Sequence, residues 1–246
     1  MSRTILTHFY NEEYLLPWWL EHHKKMFDFG VMIDYGSTDN SVAIIKEICP
    51  HWQVLPSRFE YFDAGNCDEE VMFYERQISG WRIALTTTEF LVGDLGGLTM
   101  NNESREQWIL PGVQFTGWDP SGSLDKSQPL WEQITLGTTY HTLLGRTPRS
   151  LHNFNDIQYS QGRHFYGHTT DKAVIFHYAH AIVSPEMLKR RLQVQTKISP
   201  EDKISNKGWQ HHFGNLGLTE ERLEHMVKGL HFVGAEDCSW LIRTLT

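Results

Sequence analysis

Cysteine is scarce in this chain. Cys49, Cys67 and Cys238 are the whole complement, odd in number and far apart, with no C-x-x-C spacing. Such a set indicates neither a disulfide framework nor a zinc site, and a reducing compartment suits it best. Long apolar runs are missing too: the N-terminal MSRTILTHFY has no extended apolar region ending in a cleavage site, and no stretch reaches the roughly 18 residues of a membrane span. A soluble, cytoplasmic protein is expected. Positive charge is also short, with 22 Lys and Arg against 30 Asp and Glu and a net charge of −8, which disfavours nonspecific nucleic-acid binding as the main activity. No internal repeat or low-complexity tract is present.

What the chain does have is length enough for a sizeable core and a strand–helix rhythm in its first half. A single domain, 1–246, accounts for its size. The most informative stretch is Val31-Met32-Ile33-Asp34-Tyr35-Gly36-Ser37-Thr38-Asp39-Asn40-Ser41, an apolar run that ends in Asp and enters a polar turn. It reads as a buried strand, a loop in which Gly36 supplies backbone freedom, and a helix from Ser41 capped by one of the preceding polar residues. Asp34 then stands at the C-terminal end of a strand, where open α/β sheets bind ligands and where a carboxylate accepts from a ribose hydroxyl or a base N–H. A capping turn with no ligand is the plainer reading. Ile5 to Glu13 repeats the pattern, a strand leading into an Asn-Glu turn, and Tyr14 to His23 reads as a helix.

The pair THFYNEEYLLPWWLEHH and IDYGSTDNS resembles the family 2-like glycosyltransferases of the GT-A fold. In that family the first strand carries an N-E turn, and the second ends in a D-x-G-S-x-D motif that holds the nucleotide of a sugar donor. The resemblance implies nucleotide-binding roles for Thr7, Phe9, Asn11, Glu12, Asp34, Gly36, Ser37 and Asp39.

Ser41 to Ile48 reads as a helix, Trp52 to Pro56 as a short strand, Phe59 to Gly65 as a loop or edge strand, and Cys67 to Ser79 as a helix. Asp68, Glu69 and Glu70 at its start suit a charged first turn better than a metal site. The next strand, Trp81 to Leu85, runs into Thr86-Thr87-Thr88-Glu89-Phe90-Leu91-Val92. The related enzymes carry a D-x-D-E-F type motif here, whose carboxylates bind a divalent metal and the donor's ribose and diphosphate. This chain has T-x-T-E-F. Thr86 and Thr88 occupy the acidic positions as candidate ribose or phosphate contacts, but hydroxyls replace none of the charge a hard cation needs. The resemblance implies a manganese or magnesium ion held by Glu89, the donor's phosphates and His177, with direct neutralisation by Arg76, His177, Lys189 and Arg191 as the other possibility.

From Gly93 onward the sequence is irregular and rich in Gly, Pro, Trp and His, as acceptor-side loops would be. Pro111 to Ser123 resembles the family's W-x-x-F-G-S-S-G segment, which implies sugar contacts for Trp118 and Ser121; Trp118 equally suits a buried aromatic. Asp119 and Glu89 are the candidates for the base that deprotonates an acceptor hydroxyl, although an Asp before Pro also suits a surface turn. Arg146 to Asn153 and Gly167-His168 resemble the basic and His-containing segment that precedes the family's last strand. That strand is Lys172 to Tyr178, and Ser184 and Pro185 open a helix to Arg191. Thr219 caps a further helix to about Lys228, one-sidedly, because Arg222 stands where a capping box needs Glu or Gln.

The expected architecture is α/β, a GT-A-like, mainly parallel open sheet flanked by helices. Within it 1–92 form a nucleotide-binding half, 93–191 an acceptor-side half and 192–246 a helical C-terminal extension. The implied activity is hexosyltransferase-type transfer from a UDP- or GDP-sugar donor to a carbohydrate acceptor in glycan synthesis. A non-catalytic nucleotide- or sugar-binding module on a degenerate GT-A fold is the alternative.

Overall fold

The computed structural model describes residues 2–100, 104–139, 148–165, 169–231 and 234–245. Arg146, Thr147, Gly167 and His168 of the basic and His-containing segment lie outside them.

The first half folds as strand and helix in turn: β1 (Arg3–Phe9), α1 (Leu16–His23), β2 (Phe29–Asp34), α2 (Ser41–Ile48), β3 (Gln53–Pro56), α3 (Ala64–Glu75) and β4 (Trp81–Ala84). These strands lie side by side in the order β3-β2-β1-β4, all parallel. Gly30 to Ile33 of β2 are buried without alternation, as a strand covered on both faces requires. Gly30 has a packing reason of its own: a Cβ there would lie 2.2 Å from the Trp52 ring. Two antiparallel strands, β6 (Gln107–Leu110) and β9 (Arg149–His152), extend the sheet beyond β4.

A second sheet has the order β11-β8-β7-β10-β5, formed by β11 (Glu236–Asp237), β8 (Leu136–Thr139), β7 (Gly112–Trp118), β10 (Ala173–Ile182) and β5 (Glu89–Gly93). Here only β7 and β10 are parallel. The α/β class is as expected, and the expected mainly parallel character belongs to β3-β2-β1-β4 of the first sheet, with β7 and β10 the one parallel pair of the second among the described residues. The run from Trp81 to Val92 is also not one strand. Glu89 N donates to Thr86 O at 3.0 Å and Thr86 N donates to Glu89 Oε2 at 2.8 Å, closing a turn that carries the chain from one sheet to the other.

β10 is longer than its sequence predicts, and it is bulged. His177 faces Gln114 of β7 and His180 faces Thr116, so two β10 residues oppose one on β7. The bulge puts His177 and His180 on one side, ring centroids 6.5 Å apart. Beyond β10, Ser184 Oγ accepts from Met187 N and starts α6 (Pro185–Gln193), with Pro at its first position. α7 (Pro200–Ser205) and α8 (Glu220–Met226) follow, α8 capped by Thr219 as its sequence predicts, and α9 (Ser239–Leu245) is the last helix; two short helices, α4 (Leu95–Leu98) and α5 (Leu130–Gln133), lie earlier among the strands of the second half.

One apolar cluster joins both sheets, with Ile5, Phe9, Trp19, Phe90, Phe115 and Phe176 at its centre. A smaller one, built on Leu6, Val31, Ile33, Tyr35 and Val71, lies under α3. The three cysteines are buried and free. Among the described residues no helix is long and apolar enough to cross a membrane.

Candidate functional site

At the C-terminal edge of the first sheet the two polar turns are stitched into one platform. Asn11 adopts a positive φ of 51°, which Asn tolerates better than most residues. Its Oδ1 accepts from Thr38 N at 2.7 Å and Asp39 N at 3.3 Å, and its own N–H donates to Ser37 Oγ at 3.0 Å. Asp39 returns the contact: Oδ2 accepts from Glu13 N and Oδ1 from Ser41 N, each at 3.0 Å. Both Asp39 oxygens thus hold backbone. Asp34, half-buried at the end of β2, accepts from Ser37 N at 2.8 Å through Oδ1, while Gly36 takes the positive φ of 78° that the turn needs. Thr7 and Phe9 are enclosed; Phe9 belongs to the core, and the Thr7 hydroxyl donates to His8 O.

Beside the platform lies a centre made of arginines and histidines. Glu89 is fully buried, and Arg149 grips it with Nε at 2.9 Å from both oxygens and Nη2 at 2.6 Å from Oε1. Burial alone would raise the Glu89 pKa, but the charges of Arg149 and His177 and the bonds from Arg149 and Thr86 N outweigh it and hold it at about 2. His177 stands directly opposite Glu89 in the β5–β10 ladder. Its burial, opposed by Glu89 and assisted by Arg149, pushes its pKa down to about 4. His164, also lowered to about 4 mainly by burial, feels the same pair.

Two further ion pairs flank this centre. Arg163 donates through Nη1 to His8 Nδ1 of β1 at 3.0 Å and lies 3.8 Å from Asp68. Arg190 of α6 grips Glu12 through Nε and, at 2.6 Å, through Nη2. Arg191, next in sequence, is buried and donates to His211 Nδ1 at 2.6 Å and to Gln210 O at 2.9 Å.

The structure therefore gathers Asn11, Glu12, Asp34, Gly36, Ser37, Asp39, Thr86, Thr88, Glu89, His177 and Arg191 around one edge. It does not bring Arg76 there: Arg76 is exposed at the C-terminus of α3, near the beginning of β4, the other end of the sheet. Lys189 is exposed on α6, two residues from buried Met187 and so on the opposite side of the helix from Met187 and Arg191. Trp118 is half-buried and packs on the core at the end of β7. Asp119, exposed in the turn after it, accepts from Ser121 Oγ at 2.9 Å, and its N–H donates to Ile182 O of β10. The residues that sequence reading passed over are His8, Arg163, His164, Arg190 and His211. Arg163-His164 and Arg190-Arg191 are at least adjacent basic residues in a chain whose acids outnumber its Lys and Arg.

The donor set does not fit a hard divalent cation. The Thr86 and Thr88 hydroxyls bond each other at 2.9 Å, and both Glu89 oxygens are spent on Arg149 and Thr86 N. Among the described residues no group of three or more His, Cys, Asp or Glu is placed to hold a metal. The expectation of Glu89 as a metal ligand and base meets a carboxylate already saturated and shut off from solvent.

No known family profile and no curated protein sequence matches the chain. Among solved structures it is similar to S. aureus TarS 1-349, at 12% identity and a TM-score of 0.43 over 95% of this chain and 71% of that one. A second structure of S. aureus TarS gives 14% identity and 0.45 over 95% of this chain, which spans 43% of that one. Glucosyl-3-phosphoglycerate synthase from Mycobacterium tuberculosis, in complex with Mn2+, UDP and glucosyl-3-phosphoglycerate, gives 12% and 0.34 over 46% and 44% of the two chains. These likenesses are distant, and the reading of the site rests on its own residues.

Proposed function

We propose that this chain transfers a sugar, of hexose type, from a UDP- or GDP-linked donor to a carbohydrate hydroxyl. The observation that carries the reading is the stitched Asn11–Asp34 platform at the C-terminal edge of a parallel β3-β2-β1-β4 sheet, with a cationic centre beside it. Such an edge is where open α/β sheets take nucleotides. Asp34 offers a carboxylate to a base N–H or ribose hydroxyl, and Thr86 offers a half-buried hydroxyl nearby. The departing diphosphate needs positive charge already in place, which the arginines of the centre supply. The incoming hydroxyl must lose a proton, and Asp119, exposed and engaged only through Oδ1 by Ser121, is freer to take it than Glu89, which is buried and bound to Arg149.

The resemblance of the N-E and D-Y-G-S-T-D turns to family 2-like glycosyltransferases supports the same reading. The experiment is a panel of nucleotide sugars offered with mono- and oligosaccharide acceptors, scored for transfer and for slow donor hydrolysis. Release of a nucleoside diphosphate from one donor is expected, reduced about a hundredfold or more in Asp119→Asn if that carboxylate is the base. A second reading, a non-catalytic nucleotide- or sugar-binding module, is favoured by the locked state of Glu89. Binding of a donor with no hydrolysis and no transfer across the panel decides for it.

A further inference from the structure

Resting on the donor reading above, we infer that the diphosphate is held without a divalent ion, by Arg191 with Arg190 at its side, between His177 and His211. The charge balance of the centre is the first ground. Arg149, Arg163, Arg190 and Arg191 meet there, and Glu89, Asp68 and Glu12 are the carboxylates in ion-pair contact with the first three. Among the described residues none lies within ion-pair distance of Arg191. Its side chain is 3% exposed, and its Nε, also buried, has no acceptor. Burying a guanidinium with neither a counter-charge nor a full set of acceptors is costly, so the position is built for an anion.

Arg82 makes the contrast. It too is fully buried, with an unpartnered Nε and no carboxylate at ion-pair distance, yet it donates to Glu75 O, Ile78 O and Asn155 Oδ1 and feels the nearby charge of Glu75. Arg191 has two acceptors, Gln210 O and a histidine nitrogen, and no carboxylate charge near it. His211 and His177 are both kept neutral by burial and by the neighbouring arginines; His211 Nδ1 accepts from Arg191, which puts its proton on Nε2 as a donor, and the buried Nδ1 of His177 has no partner. A diphosphate adds the missing negative charge and acceptors for the free Nε. The guanidinium pair then performs what a metal does elsewhere, in a site whose threonines and arginine-bound Glu89 have no charge to offer a cation.

The test uses the whole chain and two probes, inorganic pyrophosphate and UDP (with GDP in parallel), titrated calorimetrically in chelator and again in excess manganese. Binding in chelator is expected, changed less than about twofold by manganese, and weakened about tenfold or more in Arg191→Gln. Arg191→Gln should also melt no lower than wild type without anion, and gain less from added pyrophosphate, because the uncompensated charge is gone. If that variant does not fold, Arg191→Lys keeps the charge, loses the fork, and should still show several-fold weaker binding. Binding that requires manganese, undiminished binding in both Arg191 variants, or no binding of either probe under any condition overturns the inference. Metal-free pyrophosphate binding lost in Arg191→Gln, with no affinity for any nucleoside diphosphate, keeps the anion site and sinks the donor reading instead.

Discussion

Glu89 and Glu12 are both buried and both gripped by an arginine, yet their acidities move in opposite directions. For Glu89, burial is overcome by Arg149, His177 and the Thr86 N–H, and the pKa falls to about 2. For Glu12, burial prevails over Arg190, Asp39 adds repulsion, and the pKa rises. One arginine is not enough to decide the matter. The third and fourth neighbours decide it, and they also decide which carboxylate is a fixed anion of the fold and which stands near its limit. Glu75 completes the series: fully buried, with the Tyr159 hydroxyl as donor at 2.9 Å and no arginine on its oxygens, it is pushed up to about 7.

The sharpest way to break this comparison is to remove Glu89. Glu89→Ala leaves the Arg149 charge enclosed and uncompensated, at an expected cost of about 3–5 kcal/mol in urea unfolding. Glu12→Ala should cost less, because the Arg190 side chain keeps 12% of its surface and has a route to water. Equal costs would mean that the extra partners of Glu89 do nothing. The pH dependence has a definite sign as well. The folded pKa of Glu89 lies below its ordinary 4.5, so its contribution is present above about pH 4.5 and is lost as pH falls toward 2.

Glu75 has the opposite sign. Its folded pKa exceeds the ordinary 4.5, so its contribution is whole below pH 4.5 and is lost as pH rises through about 7. Between those limits wild type should lose about 3 kcal/mol relative to Glu75→Gln, which has no proton to give up. Urea midpoints for the two proteins at pH 5 and pH 8 measure it, and parallel profiles would show that Glu75 is ionised throughout. A smaller effect separates the two aspartates of the platform. Asp39→Ala removes the acceptor of two backbone N–H groups and should cost about 1–2 kcal/mol of stability, whereas Asp34→Ala should cost about 1 kcal/mol and act mainly on UDP or GDP affinity. Calorimetry showing unchanged affinity in Asp34→Ala would take that residue out of the site. The smallest effect is expected at Lys189: Lys189→Ala should stay within about 0.5 kcal/mol of wild type and bind pyrophosphate equally well. A tenfold loss of affinity there would move the phosphate contact to the outer side of α6.

How much of this was readable in the sequence follows from how local each signal is. Val31 to Ile33 is an unbroken apolar run and Ile5 to Phe9 a mostly apolar one, and each leads into turn residues, so the strands, their exits and the adjacency of Asn11 with Asp34 were legible. The second sheet was not, because its strands pair across long distances in sequence, Leu136 with Asp237 for example. Nor does local patterning announce that Thr86 to Glu89 turns between sheets, since the apolar residues on either side match a single strand. The ion pairs are the extreme case. Glu12 and Arg190 are 178 positions apart and His8 and Arg163 are 155 apart, so no spacing rule connects them. A lone acid in T-x-T-E-F reads as a surviving metal ligand until the fold delivers Arg149 to it.

The extra residue in β10 has a consequence for how this chain tolerates length changes. Side chains alternate along a strand, so a count that is off by one reverses everything downstream. The bulge is the one place where that rule is relaxed: Tyr178 and Ala179 share a single partner on β7, so taking out either would restore plain alternation and leave His180 opposite Thr116 and Ile182 opposite Trp118. Taking out Phe176, in the stretch paired with β5 on one side and β7 on the other, has no such slack, because Ala173 to Ile175 would each exchange sides. β10 behaves like a reading frame with one spare letter, and the spare lies at the bulge.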